Sequence, residues 1–333
     1  MRTLDLHIRF ALGGQLLSLV VRQGADKRLF PERIAGAPFF RGDDVGPVKQ
    51  PVPSLAPGQK PALQPGPAAR PNGAAGGRAR GPVRDTLTCS RGTGAAGGPG
   101  SRSGGRLNRA GASRIIAVDN LETSAKFTNL AGCDIDDYLG KREFLERIGS
   151  GELDGTVEAV LHQGACSDTM ESDGRYMMEN NYRYSRRLLD WCQDEEVPLL
   201  YASSAAVYGA GPKFSEERRY EAPLNIYGYS KSLFDQCVRA RLPERTAQVA
   251  GFRYFNVYGP NEAHKGRMAS VAWHGFNQYM ESGRIKLFVG SAGYGDGGQQ
   301  RDFVHVDDIV NATLWFLEHP DVSGIYNCGP GRA

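Results

Sequence analysis

The sequence predicts an α/β protein built on a doubly wound parallel sheet, followed by a smaller and incomplete second domain. Three observations predict this. From Arg114 onward, short apolar runs alternate with segments of helical period, the order expected of a parallel sheet with helices on its faces. Those runs end in polar residues, Asp119, His162 and Ser204 among them, at the strand edge where open α/β sheets bind ligands. Upstream, Thr93-Gly94-Ala95-Ala96-Gly97-Gly98-Pro99-Gly100 has the G-x-x-G-x-x-G spacing of a turn that lets backbone amides approach a pyrophosphate.

Residues 1–84 read as a low-complexity, disordered or mistranslated extension. The run 10–21, FALGGQLLSLVV, has the length of a short export signal, but Asp5 stands where a basic leader belongs and no A-x-A site follows Val21. Export is not expected, and the run is too short to span a bilayer. Between residues 51 and 110 lie 13 Gly and 9 Pro, no aromatic residue, and nine basic residues against the single acid Asp85. Such a segment cannot bury enough apolar surface to offset its ordering entropy. The whole chain carries only +3, so the basic excess belongs to this segment and the remainder is mildly acidic. Without interleaved aromatics the Arg/Gly stretch is not expected to bind nucleic acid.

The sheet domain is expected over 85–260, with a first strand at 86–92. Further strands are expected at 114–119, 157–162, 197–204 and 248–254. A helix ending near Ile148, a helix over 176–192 and a helix over 227–242, stopped by Pro243, lie between them. Residues 261–333 form the partial second domain, with a return segment to the sheet around 301–320. The six cysteines (Cys89, Cys133, Cys166, Cys192, Cys237, Cys328) are scattered without a C-x-x-C pair, which suits reduced thiols in a cytoplasmic protein. The six histidines form no ligand cluster, so no metal site is expected.

Two stretches carry chemistry. Tyr227-Gly-Tyr-Ser-Lys231 sets a phenol and an ammonium at i and i+4 on one helical face. There the lysine charge is expected to favour phenolate and lower the tyrosine from its usual value of about 10. Ser203-Ser204-Ala205-Ala206-Val207-Tyr208-Gly209 ends a strand with a hydroxyl able to hold the same substrate oxygen. Together they make a Ser/Tyr/Lys set for moving a proton while hydride leaves carbon, with nicotinamide as the natural hydride acceptor.

With these stand AVDNL (117–121), LHQGACS (161–167), YMMENNYRYS (176–185), YASSAAVYG (201–209), LNIYGYSKSLFD (224–235), FRYFNVYGPNEAHKGRMASVAWH (252–274) and RDFVHVDDI (301–309). On these residues the chain resembles the extended short-chain dehydrogenase/reductases, and within them it closely resembles the epimerases of ADP-activated heptose. The likeness is continuous from about Leu107 to Ala333. It implies a Rossmann domain and interconversion of ADP-D-glycero- and ADP-L-glycero-D-manno-heptose at C6″, in lipopolysaccharide core synthesis, by transient oxidation. It further implies that Ser204, Tyr227 and Lys231 are catalytic, with Lys265 a second acid/base. Cofactor residues fall on Asp119, Asn120, Lys126, Lys141, Gln163, Gly164, Ala165, Cys166, Ser167, Asn180 and Lys231. Lys126 and Lys141 are cations suited to a 2′-phosphate, which favours NADP, although Asp119 alone would argue for NAD.

Substrate contacts implied are Asn256, Val257, His274, Phe288, Val289, Gly290, Ser291 and Arg301. Arg267 stands where that family has serine. A homo-oligomer is implied, without nucleic acid or membrane. The family's opening T-G-G-A-G-F-I-G-S falls on Thr93 to Ser101, which sets Gly94, Gly97 and Gly100 against the pyrophosphate, and Asp119 follows Gly100 by 19 residues, near the usual spacing of about 20. Gly98-Pro99 replaces Phe-Ile, and Arg102-Ser-Gly-Gly-Arg106 replaces a good helix. The chain upstream of about Leu107 therefore reads as a disturbed version of that opening, as an altered reading frame in GC-rich DNA would give. Two other readings stay open: another nucleotide-sugar epimerase acting at C4, and a non-catalytic remnant. A dehydratase is disfavoured, since Ala205-Ala206 supply no acid pair.

Overall fold

The computed structural model describes residues 5–12, 15–22, 90–112, 114–291 and 293–329. Asp5–Leu12 (β1) and Gln15–Arg22 (β2) pair antiparallel, with Leu6, Ile8 and Phe10 in register with Val21, Leu19 and Leu17. Over these residues the expected structureless extension is corrected: two apolar runs pair antiparallel. The remainder of 1–84, and Cys89, lie outside the described residues.

Seven strands form one parallel sheet. Ser90–Thr93 (β3) leads through a glycine turn into helix Gly98–Arg109 (α1), then Ile115–Asp119 (β4), Asp137–Gly140 (β5) and helix Lys141–Gly149 (α2). Ala159–His162 (β6) precedes one long helical stretch, made of Gly174–Met177 (α3), a π-helical turn Met178–Arg183 and Tyr184–Asp194 (α4). Leu199–Ser204 (β7), helix Ile226–Arg241 (α5) and Val249–Tyr254 (β8) complete the expected order. The order across the sheet is β11-β8-β7-β6-β3-β4-β5. The chain thus winds outward one way from β3 and then restarts at β6 on its other side. Between β3 and β6 lies the switch point, where the two flanking connections leave in opposite directions and open a crevice.

Period-two alternation assigns the side chains to two cores. Ile116, Val118, Val160, Leu199, Tyr201 and Val249 join the core under α2, α4 and α5, while Ile115, Leu161, Leu200, Ala250 and Phe252 join the core under α1 and α7. Strands buried on both faces read as continuous apolar runs, which is why they are visible in the sequence.

Past the sheet, Asn256–Tyr258 (β9) pairs parallel with Phe303–His305 (β10), and helix Val271–Ser282 (α6) lies between them in sequence. Helix Val306–Glu318 (α7) follows, and Gly324–Cys328 (β11) becomes the edge strand beside β8. The return segment therefore runs to Cys328, beyond the expected 320. Among the described residues no helix is long and apolar enough to cross a membrane.

The degraded opening expected upstream of Leu107 is also corrected. Of the expected strand 86–92, the described residues carry Ser90–Thr93, residues 86–89 lying outside them, and α1 runs twelve residues. Pro99 sits in its first turn, where its missing N–H has no intrahelical acceptor to lose. What the composition does cost is apolar contact. Leu107 is the sole large side chain that α1 places in the core, and a cavity of about 20 Å³ remains against Gly100, Gly104 and Ile116. Polar ties compensate. Arg102 grips Asp307 of α7 bidentately at 2.7 and 2.9 Å, and Arg106 donates to Asn311 at 3.3 Å.

A Cβ on Gly105 would meet nothing within 4 Å. Gly105→Ala is therefore expected to stabilise the fold by roughly 0.5–1 kcal/mol, through helix propensity and the restricted unfolded chain, as read by chemical denaturation.

Candidate active site

The site is built from the ends of β3, β4, β6 and β7. At the end of β3 the backbone turns sharply, with Gly94 at φ +69°. A Cβ there would lie 2.6 Å from the Gly164 Cα, and one on Gly100 would lie 2.2 Å from the Gly94 carbonyl. Neither position admits a side chain. The Gly97 amide donates to the Gly94 carbonyl at 3.0 Å, Ser101 N returns to Gly97 O, and Gly97 is the N-cap of α1 without any side-chain cap. The first-turn amides of α1 are thus left for an anion, except at Pro99, which has none.

Asp119 closes β4. Its buried carboxylate accepts from the amides of Ala96 at 3.0 Å and Asn120 at 2.8 Å, and from the Lys126 ammonium at 2.5 Å. Burial alone would raise this carboxyl, but the Lys126 hydrogen bond and charge, with those amides, hold it below its ordinary value. Lys126 also reaches Asn120 Oδ1 at 3.4 Å. Lys141, the second expected cation, is not beside it in the hydrogen-bond pattern: its ammonium is on Asn180 Oδ1 at 2.5 Å.

At the end of β6, Gln163 N donates to the Thr93 carbonyl at 2.9 Å and Gln163 Oε1 accepts from Tyr254 at 2.9 Å. Gln163 Nε2 is buried with no hydrogen-bond partner. His162 is buried between Thr93 Oγ1 at Nδ1 and Ser185 Oγ at Nε2. Ser185 gives its own proton to the Asn181 carbonyl, so the ring must be the neutral Nε2–H tautomer, and Thr93 donates to the bare Nδ1. Burial and then the Lys231 charge press its pKa down to about 3. Cys166 is clasped by Asn181 through its N–H and C=O, at 2.8 and 2.9 Å. Ala165 is half-buried and Ser167 exposed on the same loop.

The chemistry sits between β7 and α5. Ser204 ends β7, and its Oγ accepts from Ala206 N at 3.1 Å. Asn225 caps α5 through Gly228 N, which starts the helix so that Tyr227 and Lys231 share a face. A hydrogen bond with Ser204 draws the Tyr227 phenol down, but burial outweighs it and the phenol stands above its usual value. The expected lowering by Lys231 is therefore corrected: the ammonium is buried against the Ala202 carbonyl at 2.7 Å, and burial lowers Lys231 itself to about 8 despite the opposing charge of Asp235.

Lys265 lies in the kinked turn Ala263–Met268, 3.8 Å from Glu262, and burial lowers it. Arg267, in the same turn, bonds Asp168 on the β6 loop. Asn256 donates to the Asp302 carbonyl at 3.0 Å, with Val257 next in β9. His274 lies on α6, edge-on to Trp273. Phe288 and Val289 are exposed, and hydrogen bonds close the segment on itself, from Gly290 N to Asp296 and from Gln299 to Val289 O. Ser291 and Arg301 are exposed, and Arg301 donates to the Gln300 carbonyl. The structure thus sets Gly94, Asp119, Gln163 and Ser204 at the ends of β3, β4, β6 and β7, with Tyr227 and Lys231 on α5. Among the described residues, no hydrogen bond links 288–301 to the Ser/Tyr/Lys triad.

Sequence reasoning missed the buried ionic group behind the triad, Asp235, Arg253 and Glu221. Its signal was an arginine inside the apolar run 248–254, and an aspartate one turn after Lys231 on the core face of a helix. Among the described residues, no three His, Cys, Asp or Glu side chains are grouped to hold a metal ion.

The model of the NAD dependent epimerase/dehydratase family matches residues 93–329, so the match begins at the glycine turn itself. The chain is 63% identical over 240 residues to ADP-L-glycero-D-manno-heptose-6-epimerase of Thiobacillus denitrificans, covering 72% of each. Among solved structures, ADP-L-glycero-D-manno-heptose-6-epimerase of Helicobacter pylori is similar with a TM-score of 0.65 and 28% identity, over 74% of this chain and 78% of that one. UDP-glucose 4-epimerase of Thermotoga maritima has a TM-score of 0.62 and 26% identity, over the same shares of 74% and 78%.

His162 gives a sign for pH dependence. With its folded pKa near 3 and an unfolded value of 6.5, its contribution is full above about pH 6.5 and falls away as pH drops toward 3, where the unfolded chain binds the extra proton. His162→Gln is expected to flatten stability between about pH 4 and 6.5, measured by urea denaturation across that range.

Proposed function

The chain belongs to the NAD dependent epimerase/dehydratase family, and from that membership we propose that it interconverts the C6″ epimers of an ADP-activated D-manno-heptose. The observation that carries the reaction class is the Ser204, Tyr227 and Lys231 set on β7 and α5, beside the crevice at the end of β3. The likeness to the Thiobacillus epimerase supports the choice of heptose over a C4 substrate.

The residues present fit a nicotinamide dinucleotide. The side-chain-free cradle at Gly94 and Gly100, the uncapped α1 N-terminus and the unpartnered Gln163 Nε2 all offer space or donors. Bound there, a nicotinamide supplies a hydride acceptor that can return the hydride to either face of a planar carbonyl carbon. We favour NADP over NAD, because Lys126 already neutralises Asp119 and so removes the charge that would repel a 2′-phosphate.

The protein's own part is proton traffic and orientation. Ser204 Oγ and the Tyr227 phenol hold one substrate hydroxyl. Tyr227 takes its proton as the carbonyl forms and gives it back on reduction. To act as the base, Tyr227 must first lose its own proton to solvent, which burial opposes, so a nearby positive charge must favour the phenolate. Lys231, fixed on Ala202 O, stands one helical turn away. Lys265 is a second proton donor, on the turn facing the β6 loop.

Tyr227→Phe is expected to lower turnover about 10²–10⁴-fold while nicotinamide affinity is kept, as assayed with ADP-heptose and by nicotinamide fluorescence. If Tyr227→Phe retained turnover, the reading would fail. Lys126→Ala is expected to weaken NADPH by about tenfold relative to NADH, or ~1.4 kcal/mol, in the same titration. Equal losses for both would remove the case for the phosphorylated cofactor.

A further inference from the structure

Three directional bonds meet at one buried carboxylate behind the proposed catalytic set. Asp235 lies on α5 one turn beyond Lys231 and two turns beyond Tyr227, on the same face. Its Oδ1 accepts from the Tyr201 hydroxyl at 3.0 Å, and its Oδ2 accepts from Ser203 Oγ at 3.0 Å and from Arg253 Nε at 2.9 Å. Tyr201 and Ser203 alternate along β7 with Ala202, whose carbonyl holds Lys231, and with Ser204. Asp235 and Lys231 thus grip adjacent residues of one strand from one helix.

We infer that Asp235 is a positioning residue, which sets how far α5 sits along β7 and so the spacing between Ser204 and Tyr227. The inference rests on the proposed chemistry of that pair. Apolar packing alone would hold α5 on the sheet, and Phe234 and Val238 supply it. Apolar contacts are non-directional, however, and leave a helix free to slide along a strand. Hydrogen bonds to two strand hydroxyls fix that coordinate.

The charge is compensated from the far side. Arg253, on β8 and fully buried, lies over the Tyr208 ring at 4.9 Å and donates to its hydroxyl at 2.9 Å. It also pairs with Glu221, just upstream of α5. Glu221 is in turn held by Arg239 of α5. Every part of the guanidinium thus binds an element that borders the triad, and β8, β7 and α5 are locked through one ion.

The test removes the strand's side of the grip and keeps the ion pair: Tyr201→Phe combined with Ser203→Ala. The full chain is assayed for turnover and for NADPH affinity, and 3-fluorotyrosine at position 227 is followed by 19F NMR in the apoprotein. The inference expects kcat to fall about 10²-fold, the scale of a misplaced catalytic group, with KM and NADPH affinity within about threefold and a displaced or split 19F resonance. Ser203→Thr, which keeps the hydroxyl, restores most of kcat. A folded double variant with kcat within about threefold, or with an unmoved resonance, overturns the inference and leaves the proposed reaction standing. A resonance that moves in a protein whose unsubstituted form turns over no ADP-heptose keeps the positioning and sinks the reaction. Asp235→Asn, which keeps the shape, is the second variant and is expected to show the same split between kcat and KM.

Discussion

The close approach of Gly94 to Gly164 is the constraint on which the crevice depends. The β3 and β6 ends touch through bare backbone, so their connections diverge from a common point and the N-terminus of α1 is aimed across it. A single methyl at Gly94 would collide at 2.6 Å with the neighbouring turn. The neutral His162, pinned to Thr93 and Ser185, holds the same junction from beneath. Everything placed around it, from Asp119 to Ser204, is positioned by strands whose register starts at this junction.

Charge in the interior is handled the same way on both sides of the crevice: each buried carboxylate has a cation and several fixed donors. Asp119 has Lys126 and three amides, and Asp235 has Arg253 and two hydroxyls. Taking such groups out of water costs more than their mutual attraction returns unless every lone pair is met. Their completeness argues for geometry rather than stability as their purpose.

Much of this was legible in the sequence. Strands β4, β6, β7 and β8 announce themselves because both of their faces are buried and their runs are continuously apolar, and their polar ends mark the crevice. The short β5 has a single fully buried side chain, Leu139, and so leaves no pattern to read. The glycine turn was legible by spacing, but its following helix was misjudged, because propensity discounts Gly and Pro without seeing that Arg102 and Leu107 would find partners 200 residues away. The direction of the Tyr227 shift was misread for a related reason. A spacing of four residues sets two side chains on one face, but burial, which a spacing cannot show, decides whether a charge or its desolvation prevails.

Those partners of α1 have a consequence for the order in which the molecule is assembled. Arg102, Arg106 and Leu107 are met by Asp307, Asn311 and Leu317, all on α7. During synthesis the glycine turn leaves the ribosome early, yet the helix behind it has little apolar surface of its own with which to dock. Closing a loop of that length is slow relative to local pairing. The crevice at the end of β3, although its glycine turn opens the family match, is therefore completed only when α7 arrives.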